Sequence, residues 1–167
     1  MLRLCTCSFL LIAASMMTGC ATRSYTYRYV PGKTAVLQNG IAIAPPNAPA
    51  EVHAAIAAGN RIAGLPYGYG HGHGSSVDSA YDCSGAASYV LQAAGGLRAP
   101  MPSSAFRRYG RNGEGEWIDI YARRGHVFLA VAGLRFDTGW TRGPKGPQWT
   151  TQSRPANGYV IRHPANL

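Results

Sequence analysis

The feature that most constrains this chain of 167 residues is the stretch over residues 81–96, where a cysteine opens a helical pattern. The apolar residues after Cys83 recur at steps of three and four, as on one face of an α-helix. They are Ala86, Ala87, Val90, Leu91 and Ala94. Asp82 occupies the N-cap position, and Gly95 and Gly96 stand where a helix ends. The sequence therefore predicts a helix that begins at Cys83.

The position of Cys83 favours a nucleophile. In the first turn of a helix, the positive end of the dipole and the unpaired backbone N–H groups stabilise a thiolate. The alternative is a small buried apolar residue, which is what most cysteines on the apolar face of a helix are. The polar neighbours Asp82 and Ser84, and a histidine at the start of a later strand, favour the catalytic interpretation.

The first 19 residues have the pattern of an export signal. A basic residue, Arg3, precedes an apolar run over 9–17 that is too short to span a membrane. The ending M-T-G-C resembles a bacterial lipobox, which implies cleavage before Cys20 and a lipid on that cysteine. An ordinary signal peptide, with Cys20 free to form a disulfide, is the alternative. Ala21 after Cys20 resembles the sorting pattern for the outer membrane.

Cys83 is then the one thiol expected in the mature chain, because Cys5 and Cys7 leave with the signal and Cys20 is lipidated. A free thiol in an oxidising compartment is a liability unless it is buried or used. The formal net charge of +9 favours anionic surroundings such as lipid headgroups or acidic wall polymer. The basic residues are scattered and the chain is expected to be exported, which argues against nucleic acid as a partner.

The sequence predicts three parts: the signal over 1–19, a tether over 20–49 and one domain over 50–167. The tether is inferred from its proline-rich end, with a short edge strand over 36–44. In the domain, the patterns predict helices and then strands. The predicted helices cover 50–63, 83–94 and 103–109, the strands cover 117–122, 126–133, 134–138 and 159–163, and a loop covers 139–158. Helices followed by an antiparallel sheet indicate a segregated α+β domain.

His126 begins an apolar strand directly after a glycine turn, so its imidazole is expected at the edge of the sheet. A Cys-bearing helix packed on that sheet would bring Cys83 and His126 together, as a thiol nucleophile and its base require. A third polar group should hold the other ring nitrogen. Asp137 is one candidate, since a hairpin at Gly133 lays the next strand antiparallel, and His163 is the competitor. The alternative for His126 is an ordinary hydrogen-bonded histidine at a strand end.

The glycine-rich loop over 65–76 contains His71 and His73 at alternate positions. Two histidines at this spacing are incomplete as a zinc site, which needs three or four protein ligands. We therefore expect no metal and no cofactor. The many glycines indicate that the backbone passes close to a ligand or to another chain segment.

Four segments, in this order, resemble the NlpC-type papain-like cysteine peptidases of bacterial cell walls: P-Y-G-Y-G-H-G-H-G, Y-D-C-S-G, G-H-V-F-L-A-V and R-F-D-T. The resemblance covers roughly residues 51–167. It implies a small papain-like fold, in which a helix carrying the cysteine packs on an antiparallel sheet carrying the histidine. It also implies cleavage of peptidoglycan stem peptides, often between D-glutamate and a diamino acid.

The resemblance implies Cys83 as nucleophile and His126 as base, with Tyr67, Asp82 and Ser84 as substrate-binding residues. The chain departs from the commoner pattern at two places. Asp137 and Thr138 stand where a second histidine is frequent, and His71 stands where glycine is expected. A carboxylate also orients an imidazole, so this leaves Asp137 and His163 both open as the third residue.

The sequence therefore predicts a lipid-anchored cysteine endopeptidase that hydrolyses peptidoglycan stem peptides in a two-membrane envelope, attached to the outer membrane and facing the periplasm. Two alternatives remain. One is an acyltransferase or amidase on the same scaffold, because Cys–His chemistry serves reactions that differ only in donor and acceptor. The other is a peptidoglycan-binding lipoprotein that keeps the fold without catalysis.

Overall fold

The computed structural model describes residues 23–74, 77–140 and 145–167. Its helices are α1 (Ala50–Ile62), α2 (Cys83–Ala93) and α3 (Ser103–Phe106). Its strands are β1 (Ser24–Tyr25), β2 (Val36–Gln38), β3 (Ile41–Ile43), β4 (Arg111–Asn112), β5 (Ile118–Arg123), β6 (His126–Val131), β7 (Leu134–Asp137), β8 (Gln148–Thr150), β9 (Arg154–Pro155) and β10 (Val160–His163). The expected signal and the expected lipidation at Cys20 lie outside the described residues.

A six-stranded antiparallel sheet in the order β4-β10-β5-β6-β7-β8 forms the centre of the molecule. Strand β6 is apolar throughout after its first residue because both faces of the sheet are covered there. Val127, Leu129 and Val131 belong to the core shared with the helices. Phe128 and Ala130 belong to a second, largely aromatic cluster.

Helix α2 begins at Cys83, with Asp82 as its N-cap. The Asp82 carboxylate accepts a hydrogen bond from the backbone N–H of Gly85 at 2.7 Å, which satisfies one of the unpaired donors of the first turn. The apolar face packs against α1 and β6. The helix ends just before Gly95, whose φ of +69° is accessible to glycine at little cost. The helix predicted from the apolar spacing is therefore observed.

The segment predicted as a tether is folded onto the domain over residues 23–49. Strand β1 pairs with β9, and Tyr25 is 5% exposed, with its hydroxyl donating to the carbonyl of Gly133 at 2.7 Å. Strands β2 and β3 form a hairpin instead of one edge strand, turning at Asn39 and Gly40 with positive φ angles. The proline-rich end predicts a spacer, but Tyr25 and Tyr27 before it cover an otherwise exposed sheet face.

In the stretch predicted as a loop over 139–158, the described residues 145–158 contain two strands, which corrects the sequence interpretation. Strand β8 adds to the main sheet beside β7, and Trp149 packs on Phe136 with ring centroids 4.6 Å apart and ring planes tilted by 47°. A Cβ on Gly59 would lie 2.4 Å from the Trp149 ring, so α1 packs closely on Trp149 only because Gly59 has no side chain. Both strands have three residues or fewer, too short for a periodic pattern to identify them.

The remaining predicted elements are observed with small shifts in their ends. The third helix stops at Phe106. The hairpin between β6 and β7 turns at Ala132 and Gly133, both with positive φ, as the glycine suggested. Within the described residues, no helix has both the length and the apolar character needed to cross a membrane.

Candidate active site

Cys83 lines a cleft of about 300 Å³. It carries a free, partly buried thiol at the first position of α2. Four parts of the chain meet at this cleft: the glycine-rich loop, the start of α2, the start of α3 and the turn before β6. Its lining includes Tyr67, His73, Asp82, Ser84, Ser103 and Gly125. The structure thus brings the predicted substrate-binding residues to the thiol.

Asp82 fixes the start of α2 and the loop beside it. One of its oxygens, Oδ1, accepts from the Ser84 hydroxyl at 3.0 Å and lies 3.1 Å from Nε2 of His73. The other, Oδ2, accepts from the backbone N–H of Gly70 at 3.0 Å. Burial raises the pKa of the Asp82 carboxyl, but these hydrogen bonds outweigh it and the pKa lies below its ordinary value. Asp82 is therefore an ionised carboxylate near neutral pH.

His71 and His73 contact different carboxylates. His71 Nδ1 lies 3.2 Å from Asp78, whereas His73 Nε2 lies 3.1 Å from Asp82. Residues 23–74, 77–140 and 145–167 contain no group of three or more His, Cys, Asp or Glu arranged to hold a metal ion.

The loop passes close to the helix start, as its glycines suggested. A Cβ on Gly85 would lie 2.2 Å from the carbonyl oxygen of His71, and one on Gly72 would lie 2.3 Å from the Tyr81 ring. The backbone of the loop therefore packs directly on the first turn of α2, leaving no space for a side chain. This contact fixes the wall of the cleft beside Cys83.

Tyr67 also lines the cleft, and its side chain is 44% exposed. Burial and, after it, the charges of Cys83 and Asp82 raise the pKa of its phenol. The hydroxyl therefore stays protonated and is able to donate a hydrogen bond toward a group bound at Cys83.

His126 is the first residue of β6, and its Nε2 lies 2.9 Å from Oδ1 of Asp137. Burial lowers the pKa of the imidazole, but hydrogen bonding and charge from Asp137 and Cys83 outweigh it, so the pKa lies above its ordinary value. Because Asp137 takes Nε2, Nδ1 is the nitrogen left for the thiol. A thiol, an imidazole and a carboxylate in this order are able to perform nucleophilic acyl transfer.

The structure brings Asp137, and not His163, to His126. Asp137 ends β7 with a fully buried side chain, placed diagonally to His126 by the β6–β7 register. His163 ends β10, on the far side of β5, where its Nδ1 lies 3.0 Å from the carbonyl of Gly113. Asp137, one of the two residues predicted for this place, is therefore the one that contacts the imidazole.

Two arginines that sequence analysis missed hold the other oxygen of Asp137. Arg135 Nη1 and Arg154 Nη1 both donate to Oδ2, the latter at 2.7 Å. A signal existed for Arg135, because residues two apart on a strand share a face. None existed for Arg154, which lies in the stretch predicted as loop.

No protein-family model matches the sequence, and no curated protein matches it. Among solved structures, the fold resembles Rv1477, described as a hypothetical invasion protein of Mycobacterium tuberculosis, with 22% identity and a TM-score of 0.46. A mutated form of the Resuscitation Promoting Factor Interacting protein RipA is similar at 20% identity and a TM-score of 0.46. Each match covers 69% of this chain and 62% of the other. This chain therefore spans about three fifths of the length of either protein.

Proposed function

We propose that this protein is a cysteine peptidase in which Cys83 is the nucleophile, His126 the general base and acid, and Asp137 the group that orients the imidazole. The observation that carries the proposal is the position of His126, whose Nε2 lies 2.9 Å from Asp137 and which also interacts with Cys83. Burial lowers the pKa of His126, but hydrogen bonding and charge from Asp137 and Cys83 outweigh it and raise that pKa. A histidine hydrogen-bonded only for structure needs no thiol beside it.

The chemistry follows from this arrangement. The Cys83 sulfur attacks a peptide carbonyl, and its proton resides on His126. Backbone N–H groups at the start of α2 stabilise the negative charge on the carbonyl oxygen. His126 then gives its proton to the leaving amine, which departs and leaves an acyl group on the sulfur. A water molecule, deprotonated by His126, attacks this thioester. The carbon–sulfur bond breaks, the acyl group leaves as a carboxylic acid, and His126 returns its proton to the sulfur.

For the substrate, we propose the stem peptides of peptidoglycan, on the resemblance of the D-C-S-G and G-H-V motifs to NlpC-type peptidases. The bond between D-glutamate and a diamino acid is the first to test. Tyr67, Asp82 and Ser84 line the cleft beside Cys83 and are the proposed contacts to the substrate. We also propose that Cys20 carries a lipid, which would hold the enzyme at the outer membrane facing the periplasm.

Mass spectrometry of fragments released from purified peptidoglycan tests the proposal. Wild type should release stem-peptide fragments, and their masses identify the bond. Cys83→Ala and His126→Ala should release none. His53→Ala provides the matched control, because His53 is exposed on α1, and it should cleave like wild type.

Wild type that binds the wall but releases nothing would refute the peptidase and favour a binding protein. Transfer of the stem acyl group to an added amine, without hydrolysis, would favour an acyltransferase instead.

A further inference from the structure

Two buried guanidinium groups converge on one carboxylate behind the proposed catalytic histidine. Arg135 is 0% exposed, Arg154 is 7% exposed and Asp137 is 2% exposed. One arginine is sufficient to balance the charge of Asp137. A second buried cation is costly to remove from water. Among the described residues, the hydrogen-bond partners of Arg154 other than Asp137 are neutral: the Gly139 carbonyl at 3.1 Å and the Tyr159 hydroxyl at 3.0 Å. Its presence beside the site therefore requires a physical reason.

The four contacts of Asp137 divide evenly between its two oxygens. Oδ1 accepts from the backbone N–H of Thr138 at 2.8 Å and lies 2.9 Å from His126. Oδ2 is occupied by both guanidinium groups. Thr138 and Arg135 thus hold one oxygen each even without Arg154, so Arg154 adds to Asp137 one further hydrogen bond and a second positive charge.

The surplus of positive charge also affects Arg135. Burial lowers the pKa of its guanidinium, Asp137 raises it, and Arg154 lowers it again, with a net shift downward. The positive charge of Arg154 also acts on a proton held by His126, because His126 and Arg154 both contact Asp137.

We propose that Arg154 is a positioning residue of the Cys83–His126 site, which acts through Asp137 by offsetting the charge of the carboxylate so that His126 releases its proton more readily. This rests on the proposed function and deepens it. A lone carboxylate stabilises the imidazolium strongly. An imidazolium that holds its proton too firmly is a poorer acid toward the leaving amine.

Arg154 reaches Asp137 from outside the main sheet. It lies on β9, which pairs with the N-terminal strand β1 through Tyr25. Its Nη2 donates to the Tyr159 hydroxyl at 3.0 Å. Replacing Arg154 therefore changes the charge behind Asp137 without breaking a hydrogen bond of the six-stranded sheet.

The charged and titratable groups around His126 come from five elements or turns. They are Cys83 of α2, Asp137 and Arg135 of β7, Arg154 of β9, Arg123 of β5 and Tyr159 before β10. Arg123 pairs with His126 in the sheet but is exposed, with its guanidinium 4.9 Å from the centre of the Tyr159 ring. Solvent screens Arg123 far more than the buried Arg154.

NMR titration of the His126 side chain tests the proposal without needing a substrate. The titration uses the Cys83→Ala protein, in which the thiol no longer affects His126, and assigns the resonance with a His126→Gln variant. Adding Arg154→Gln should raise the pKa of His126. Adding Arg123→Gln, the matched control with a screened cation, should leave it unchanged.

The direction of the change decides the outcome. An unchanged pKa of His126 in Arg154→Gln would overturn the proposal, and so would a fall, because a fall means that Asp137 has moved. In Arg154→Lys, which keeps the charge, the pKa of His126 should stay close to that in the parent protein. Thermal unfolding of each variant identifies any that fails to fold. Tyr159→Phe, which keeps the contact between Arg154 and Asp137, should also leave the titration unchanged.

Kinetics on a stem peptide supply the second measurement. Arg154→Gln should lower kcat roughly tenfold with little change in KM, because proton donation slows while the cleft is untouched. Failure of wild type to cleave would refute the proposed function, yet the titration would still decide the role of Arg154. A rise in KM with kcat unchanged would contradict that role.

Discussion

At the scale of single residues, the site depends on how His126 is held. Its Nε2 faces a carboxylate that is itself fixed by three other donors, so the ring has one orientation and one nitrogen left for Cys83. The third group of a nucleophilic triad acts mainly by setting this orientation and the tautomer. Asp137, rather than His163, contacts His126 and is the residue we propose for that role.

Asp137→Asn should therefore lower kcat by about 10²–10⁴-fold, because the amide no longer enforces the correct tautomer. His163→Gln is the comparison, and its kcat should stay near that of wild type, since His163 lies on β10, across β5 from His126, with its Nδ1 3.0 Å from the carbonyl of Gly113. Steady-state kinetics on one stem peptide measure both. Equal losses in the two variants would contradict the assignment of Asp137.

Protonation of His126 also links folding to pH. The pKa of His126 is raised above its ordinary value of 6.5, so the folded state binds its proton more tightly than the unfolded state does. This stabilisation is fully present below pH 6.5 and is lost as the pH rises through the raised pKa. The difference in free energy of unfolding between wild type and His126→Gln should thus be larger at pH 5 than at pH 9. Urea unfolding at the two pH values measures it, and a difference that grows with pH would contradict the raised pKa.

At the scale of elements, the cleft depends on close contact between the glycine-rich loop and the first turn of α2. Gly85 meets the carbonyl of His71 with no room for a Cβ. In an unconstrained helix, replacing glycine by alanine stabilises by about 1 kcal/mol. At Gly85 we expect alanine to destabilise the protein instead, because the added methyl group pushes the glycine-rich loop away from α2.

Gly85→Ala should lower the free energy of unfolding by about 1–3 kcal/mol, the usual cost of overpacking, and should reduce cleavage of stem peptides. Gly74→Ala is the matched control, because a Cβ there meets nothing within 4 Å. Chemical denaturation of the two variants measures the effect. A stabilised Gly85→Ala protein would show that the loop does not pack on the helix as described.

The elements also show what the sequence could predict. Long periodic segments such as α2 and β6, together with the glycine turn between β6 and β7, were predictable, and so was the meeting of His126 and Asp137. Strands β1, β8 and β9 were not, because two or three residues carry no period. Arg154 was therefore missed, since its contact with Asp137 depends on one of these short strands.

At the scale of the whole molecule, the N-terminal segment covers the outer face of the sheet. Tyr25 packs edge to face on Tyr121 and Phe128, with ring centroids about 6 Å apart, and β1 is paired with the strand that carries Arg154. The folded unit therefore begins well before residue 50. Strand β1, which precedes the helices, pairs with β9 and so supports Arg154, which contacts Asp137.

A protein that starts at residue 23 should consequently fold cooperatively, whereas one that starts at residue 50 should lose most of its stability, because an aromatic sheet face becomes exposed. Tyr25→Ala in the longer protein should cost about 3–5 kcal/mol, as for other buried aromatic side chains. Thermal unfolding monitored by circular dichroism compares the protein starting at residue 23, its Tyr25→Ala variant and the protein starting at residue 50. Equal stability of the proteins that start at residues 23 and 50 would support the prediction that residues 20–49 are a tether.

The central claim, a thiol activated by His126, is tested most directly by labelling. The protein starting at residue 23 contains a single cysteine, Cys83. It is treated with a stem-peptide analogue that carries an electrophile at the position of the scissile carbonyl, and mass spectrometry follows adduct formation over time. We expect rapid labelling of Cys83 in wild type and in His53→Ala, and labelling slowed roughly 10²-fold or more in His126→Ala, within the range by which general bases accelerate such steps. Equal and slow labelling of all three proteins would contradict the account.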